Sequence, residues 1–272
     1  MTTAAEAELL TTPPNNRYGW LPDRPDANDY PVPEKYKAIR IPSSIDLRAS
    51  GFTSRIKDQD GLGSCTGNGI ARNFEFAMRR QGQVMSDRSR LFIYYLEREM
   101  EGTINSDSGA FIRDGLKVVE KFGAPSEELW PYNVPAFMQR PPQQAFDEAL
   151  THQALSYHSV KSNSMRAVKQ VLAAGSPIVL GFSVYRFFED TGPTGEVRIP
   201  SDPSQYGSLL GGHCVAIEGY DQLKINPKRT VYGIGANSWS ETWGDKGYFY
   251  MPLKWLCDLR NADDFWTILI VE

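Results

Sequence analysis

Apolar residues recur at helical spacing from about Ile41 to Arg140. After Cys65, the residues Ile70, Phe74, Ala77 and Met78 share one face, with Gln81 on its polar edge and Gly82 as a stop. Ser86 predicts an N-cap for a second helix over DRSRLFIYYLERE. A third is predicted over AFIRDGLKVVEKFG, where Phe111, Leu116, Val119 and Phe122 are the apolar stripe and Gly123 closes the helix. From about residue 154 the pattern changes to short β-rich runs separated by turn residues: ALSYHSVK, PIVLGFSV, HCVAIEGY, TVYGIGAN, GYFYMP and WTILIVE. One helix interrupts them, NSMRAVKQVLAAG, capped by Asn163 or Ser164. DQLKINPKRT reads as an extension of a hairpin. Residues 1–40 follow neither period. Their prolines remove donors and restrict the preceding residue, so an extended arm is expected rather than a helix or a central strand. Tyr18, Trp20, Leu21 and Tyr30 give that arm side chains with which to dock. The organisation read from these patterns is an arm (1–40), a helical lobe (41–145) and a β-rich lobe (146–272), an α+β layout with a cleft between lobes as the natural place for a site.

Composition narrows the function classes. The 272 residues are 41% hydrophobic and 23% charged, an ordinary globular balance, with a formal net charge of -4 and no long basic run. Nucleic acid is therefore not an expected partner. The start MTTAAEAELLTTPPNN has no basic, apolar secretory pattern, and no stretch approaches the ~20 apolar residues of a membrane span. Three cysteines, Cys65, Cys214 and Cys257, cannot all pair within one chain. A cytoplasmic, reducing setting is the default expectation, together with a monomer that needs neither metal nor cofactor.

The candidate chemistry starts at KDQDGLGSCTGNG, where Cys65 lies among glycines just ahead of a predicted helix. The positive end of a helix favours a thiolate by up to about 2 kcal/mol, so a partly ionised Cys65 is expected, and a neighbouring imidazolium would complete the shift. Of the three histidines, His152 and His158 sit in a polar turn and the strand after it, where ordinary hydrogen bonding explains them. His213 opens an apolar strand after two glycines, in GGHCVAIEGYD, and faces a predicted cleft. Asn237 follows it by 24 positions, in ANSWSETWGDKGYF. Its side chain can fix the tautomer of an imidazole, and Trp239 can shield that bond from water.

These stretches resemble the papain-like cysteine proteases. The resemblance rests on Gln59 six residues before Cys65 in a G-S-C run, and on His213 opening a strand that ends in Gly219–Tyr220. It rests equally on N-S-W at Asn237 followed by W-G and G-Y, in that order along the chain. His213 follows Cys65 by 148 positions, within the family's usual ~130–150. The likeness runs from IPSSIDLR to near the C-terminus and takes in NSMRAVKQVLAAGSPIVLGF. The short YGWLPD-type leader resembles a bacterial branch of the family.

The resemblance implies a two-lobed fold with a β-barrel-like second lobe. It implies hydrolysis of peptide bonds in protein or peptide substrates through Cys65, His213 and Asn237, with Gln59 and the Cys65 N–H stabilising the oxyanion. It also implies Ser108 and Gly109 as the edge that pairs with substrate backbone, and Gly212 and Trp239 as further lining of the cleft. The chain departs from the family at Leu62, which removes the cysteine of a common disulfide, and at Thr66, which replaces a tryptophan. The leader is shorter than the usual propeptide. Its extended, proline-stiffened sequence nonetheless fits the chain's own cleft, and self-inhibition is the expectation drawn from it. An acyl-transfer enzyme using the same triad, or a catalytically silent peptide-binding homologue, would carry the same residues.

Overall fold

The computed structural model describes residues 18–83, 86–221 and 230–271. Most of DQLKINPKRT lies outside them. Four helices come first: α1 (Cys65–Arg80), α2 (Arg90–Glu101), α3 (Ile112–Lys121) and α4 (Gln143–Ala149). The cap of α2 is Ser89 rather than Ser86: its hydroxyl accepts the Phe92 N–H at 3.1 Å, and Arg88 is still tied in extended form to Ser126. Ser164 caps α5 (Met165–Ala173) by accepting the Ala167 N–H. Sequence reading had not assigned α4.

Three strands are only two residues long: β1 (Trp20–Leu21), β2 (Ile45–Asp46) and β3 (Ala110–Phe111). The main sheet is built from β4 (Ala154–Ser159), β5 (Ile178–Tyr185), β6 (Leu209–Asp221), β7 (Tyr232–Ala236), β8 (Tyr248–Pro252) and β9 (Ala262–Val271). Its order is β4-β9-β5-β6-β7-β8, all antiparallel, with β2 also pairing on β6. The sheet stays open and does not close into a barrel among the described residues. The mixture of helices and antiparallel sheet is the expected α+β arrangement. Register does work here. His213 on β6 lies opposite Phe182 on β5, and Ala216 opposite Ala236 on β7, so the chain leaving β7 runs back along β6 toward His213.

The sequence of α1 is amphipathic, yet every residue from Cys65 to Met78 is buried. Ile70, Phe74 and Met78 enter a core shared with α2, α3 and the inner faces of β5 and β9. The polar face is buried as well, which is tolerable only where each polar group finds a partner. Arg72 forms a two-pronged pair with Glu218 of β6, Nε at 2.6 Å and Nη2 at 3.1 Å, and Nη2 also donates to the Tyr248 hydroxyl at 2.8 Å. Glu75 accepts the Lys57 ammonium at 2.6 Å and the Arg88 N–H at 2.7 Å. The first of these pairs ties the helical half to β6 of the sheet.

The pairing yields a stability prediction. Glu218→Ala leaves the Arg72 guanidinium buried without its carboxylate and should cost roughly 3–5 kcal/mol, read from urea unfolding. Arg72→Met with Glu218→Leu removes both charges and should cost markedly less than the single change. A double variant as unstable as the single one would show that the pair does not carry this interface.

Candidate functional site

Cys65 is the first residue of α1, behind Ser64 at the cap, and is a fully buried free thiol. Its sulfur accepts the backbone N–H of Cys214, the residue after His213, and the backbone N–H of Gly19 from the arm. The thiol therefore lies against the β6 segment that carries the histidine. His213 is also fully buried, and its Nε2 lies 2.7 Å from Asn237 Oδ1. Asn237 is itself fixed, its N–H donating to Gly247 O at 2.9 Å and its Oδ1 accepting the Ser238 N–H at 2.8 Å. The Trp239 indole lies over the imidazole with ring centres 4.8 Å apart and planes inclined by 31°. Phe188 and Trp243 close around that indole at 5.4 and 5.3 Å. An aromatic shell thus shields the His213–Asn237 contact from water.

Gln59 reaches the same place from a loop before α1. Its N–H donates to Ser238 O at 2.8 Å, its side-chain Oε1 accepts the Ser238 hydroxyl at 2.5 Å, and its Nε2 donates to Leu62 O at 2.8 Å. Ser238 thereby sets which atom of the amide points where. The Tyr132 hydroxyl donates to Gln59 O at 2.8 Å and lies 2.6 Å from Ser64 Oγ. Asp107 accepts the Gly63 N–H at 3.0 and 3.1 Å and the Tyr94 hydroxyl at 2.5 Å, while Gly109 N–H donates to the Tyr94 oxygen at 3.1 Å. Asp107, Tyr94, Tyr132 and Ser238 escaped sequence reading. Of these only Ser238 has a local signal, its place in N-S-W.

The arm crosses the site. Gly19 O accepts the Ala110 N–H at 2.7 Å, and β1 pairs in parallel with β3, Trp20 opposite Ala110 and Leu21 opposite Phe111. The approach is close on both walls: a Cβ on Gly19 would fall 1.6 Å from Gly63 O, one on Gly109 would fall 2.3 Å from Gly19 O, and one on Gly212 would fall 2.3 Å from Trp20 O. The edge that meets an extended chain is thus Gly109–Ala110. Ser108 turns away, its hydroxyl spent on Thr103 Oγ1 and Gly109 O, because the left-handed Gly109 (φ 71°) redirects the chain after it. Gly212 lies against the backbone of Trp20. Tyr18 meets Trp239 edge-on at 6.3 Å and its hydroxyl donates to Glu189, and Trp20 is buried. Tyr30 is 65% exposed, so it contributes backbone rather than side chain, its carbonyl accepting the Ser159 N–H at 2.9 Å.

Electrostatics depart from expectation at the nucleophile. The thiol is not partly ionised: burial pushes Cys65 up to about 12, and the N–H donors of Cys214 and Gly19 offset that only in part. The helix end favours the thiolate, but a covered sulfur cannot use water to stabilise charge, and here desolvation wins. Burial also holds the Glu97 carboxyl well above its usual range, so it stays neutral beneath the nucleophile while accepting the Thr66 hydroxyl at 2.7 Å.

Residues 41–263 match the papain family cysteine protease model. An uncharacterised peptidase C1-like protein of Acanthamoeba polyphaga mimivirus is 34% identical over 280 residues, covering 93% of this chain and 87% of that one. A cathepsin L-like proteinase of Fasciola hepatica is 27% identical over 232 residues, and the match covers 83% of this chain and 65% of that proteinase. Among solved structures, xylellain, a cysteine protease from Xylella fastidiosa, superposes with a TM-score of 0.82 at 33% identity, covering 94% of this chain and 97% of that one. Procathepsin B of Trypanosoma congolense shares the fold, with a TM-score of 0.72 at 19% identity over 98% of this chain and 88% of that one. With a thiol at a helix start, an Asn-held imidazole on the facing strand and a family match over most of its length, the chain belongs to the papain family of cysteine proteases.

Proposed function

We propose that the chain hydrolyses peptide bonds through a Cys65–His213–Asn237 triad and that its own N-terminal arm holds it inactive. The observation that carries this reading is the 2.7 Å His213–Asn237 contact set beside a helix-start thiol whose sulfur is covered by arm backbone. In the open enzyme Cys65 transfers its proton to His213, and the thiolate attacks the scissile carbonyl carbon. The carbonyl π electrons move to oxygen, where the Cys65 N–H and the Gln59 amide stabilise the charge. Collapse breaks the C–N bond, and the imidazolium gives its proton to the leaving amine. A thioester remains. His213 then takes a proton from water, the resulting hydroxide attacks the thioester, and a carboxylic acid leaves as the thiol is restored.

The docked arm is an inhibitor rather than a substrate for a geometric reason. It presents an N–H, not a carbonyl carbon, to the sulfur, and the nearby Gly19 carbonyl oxygen is held by Ala110 rather than by the oxyanion donors. Being tethered, the arm acts at an effective concentration in the millimolar range for a short linker.

Two sets of variants test the proposal. Cys65→Ala should abolish both hydrolysis and labelling by an epoxide electrophile, whereas Cys257→Ala should leave labelling intact. Asn237→Ala should lower kcat more than it raises KM, and Gln59→Ala should cost about 10²-fold in kcat. Wild-type rates in the last two would remove those residues from the mechanism.

For the arm, Trp20→Ala in the full chain removes roughly 3 kcal/mol of burial, about a hundredfold in the docking equilibrium. It should raise the rate on small substrates. It should also speed alkylation of Cys65 at pH 8, because a thiol held near 12 is almost wholly neutral there and regains thiolate once water reaches it. Unchanged rates in both assays would end the self-inhibition reading.

A further inference from the structure

The sheet places a second thiol behind the nucleophile, and hydrolysis makes no use of it. Side chains alternate in direction along β6. His213 turns to the aromatic side, against Phe182, Phe188 and Trp239. Cys214 turns the other way, toward α1, and is buried in the same core cluster as Cys65. The Cys65 sulfur accepts the Cys214 N–H, so the nucleophile already lies against the backbone of the second cysteine. The Cys214 sulfur in turn fills the space that Gly69 leaves open on α1: a Cβ on that glycine would fall 2.9 Å from it. Gly69 stands one turn after Cys65 on the same helix face, and a helical Cβ leans back toward the N-terminus. Cβ atoms at that spacing are about 5–6 Å apart, so the Cys214 sulfur sits over the turn that Cys65 opens. A disulfide spans about 3.5–4.5 Å between Cβ atoms, and the helix turn and the strand that carry these two cysteines are in contact. Both are free thiols, while Cys257 packs against a different core cluster.

What the pair can do depends on the arm. With the arm docked, Cys65 is covered and neutral, and burial holds the Cys214 thiol well above its usual range beside it. With the arm displaced, water reaches Cys65 and the protease thiolate forms. An accessible thiolate of this kind is what a hydroperoxide oxidises.

Resting on the protease reading above, we propose that Cys65 and Cys214 form a reversible disulfide when a hydroperoxide meets the open enzyme, with Cys214 as the resolving thiol. The Cys65 thiolate attacks a peroxide oxygen. An S–O bond forms, the O–O bond breaks and hydroxide leaves, so the peroxide is reduced and Cys65 becomes a sulfenic acid. The Cys214 sulfur then attacks the Cys65 sulfur. The S–S bond forms, the S–O bond breaks, and the departing hydroxide takes the Cys214 proton and leaves as water. The enzyme is switched off, and a dithiol, itself oxidised to a disulfide, returns both cysteines by exchange. Without Cys214 the sulfenic acid stays open to a second peroxide and passes to sulfinic acid, which thiols do not reverse.

The test uses the full chain carrying Trp20→Ala, with and without Cys214→Ala, treated with hydrogen peroxide and then with dithiothreitol. Before reduction, peptide mapping of the Trp20→Ala chain should find the peptides that hold Cys65 and Cys214 joined to each other. Epoxide labelling of Cys65 should be lost on peroxide treatment and return nearly in full with dithiothreitol. With Cys214→Ala added, the same loss should persist after dithiothreitol, with Cys65 found as sulfinic acid. Absence of the joined peptides in the oxidised chain overturns the inference, and so does equal recovery with and without Cys214. A link through Cys257 in their place overturns it as well. Hydrolysis and labelling measured before peroxide decide the protease reading separately: if neither occurs that reading fails, while the mapping still reports on the disulfide. If Trp20→Ala does not fold, Tyr18→Ala, which removes the arm's contact with Trp239, carries the same measurements.

Discussion

A helix buried on every side from Cys65 to Met78 carries the candidate nucleophile, and most of the architecture follows from making that burial tolerable. Helix α1 must stand across the sheet for Cys65 to meet the β6 segment at His213 and Cys214. Its polar face then has no water, so Arg72 needs Glu218 and Glu75 needs Lys57. The first pair crosses from the helices to β6, the strand that bears His213. An ion pair of this kind is a modest source of net stability, because desolvation consumes much of the attraction. Its value lies in geometry: a planar, two-pronged contact permits one rotation and one depth of α1 against the sheet.

Family members commonly staple the loop ahead of the nucleophile with a disulfide, and Leu62 rules that out here. The loop is held by polar bonds instead. Asp107 takes the Gly63 N–H on one side and, through the Tyr94 hydroxyl, holds the Gly109 N–H on the other. The loop ahead of Cys65 and the edge that meets an extended chain are therefore one mechanical unit without a covalent link. Tyr132 and Ser238 complete it by fixing the backbone and the side chain of Gln59. Each bond is individually worth about 1 kcal/mol, but they share partners, and loosening one frees the next.

The legible part of the site was the part with local chemical signatures. Cys65 before a helix, His213 opening a strand and Asn237 in N-S-W each sit in a sequence context that means something alone, and their order along the chain multiplied the meaning. The helical and β-rich halves were legible for the same reason, as a change of hydrophobic period. Asp107 was not, because an aspartate in a polar loop looks the same whether it faces solvent or receives a hydrogen bond from a residue dozens of positions away. The cap of α2 was missed by three residues since Ser86 and Ser89 are equivalent by pattern, and the bridge from Arg88 to Ser126 decides between them. The ionisation of Cys65 was misjudged because the helix end is a local feature, while the covering chain belongs to a segment more than forty residues earlier.

That covering chain also gives the scattered glycines a common cause. Gly63, Gly109, Gly181 and Gly212 lie on four separate segments, and in sequence each reads as local freedom. In the structure a Cβ on any of them would press on the arm or on the loop beside it, at 2.0 to 3.0 Å. They share a cleft cut to the width of one extended backbone, with room for a large side chain at the slot that Trp20 fills. Such a channel accepts main chain without regard to sequence and reads side chains at few places. That is the division of labour a peptidase needs. The arm satisfies the channel with backbone bonds to Ala110 and fills the slot with Trp20, yet directs an N–H at the sulfur. Occupancy and reactivity are separated by which backbone atom faces Cys65.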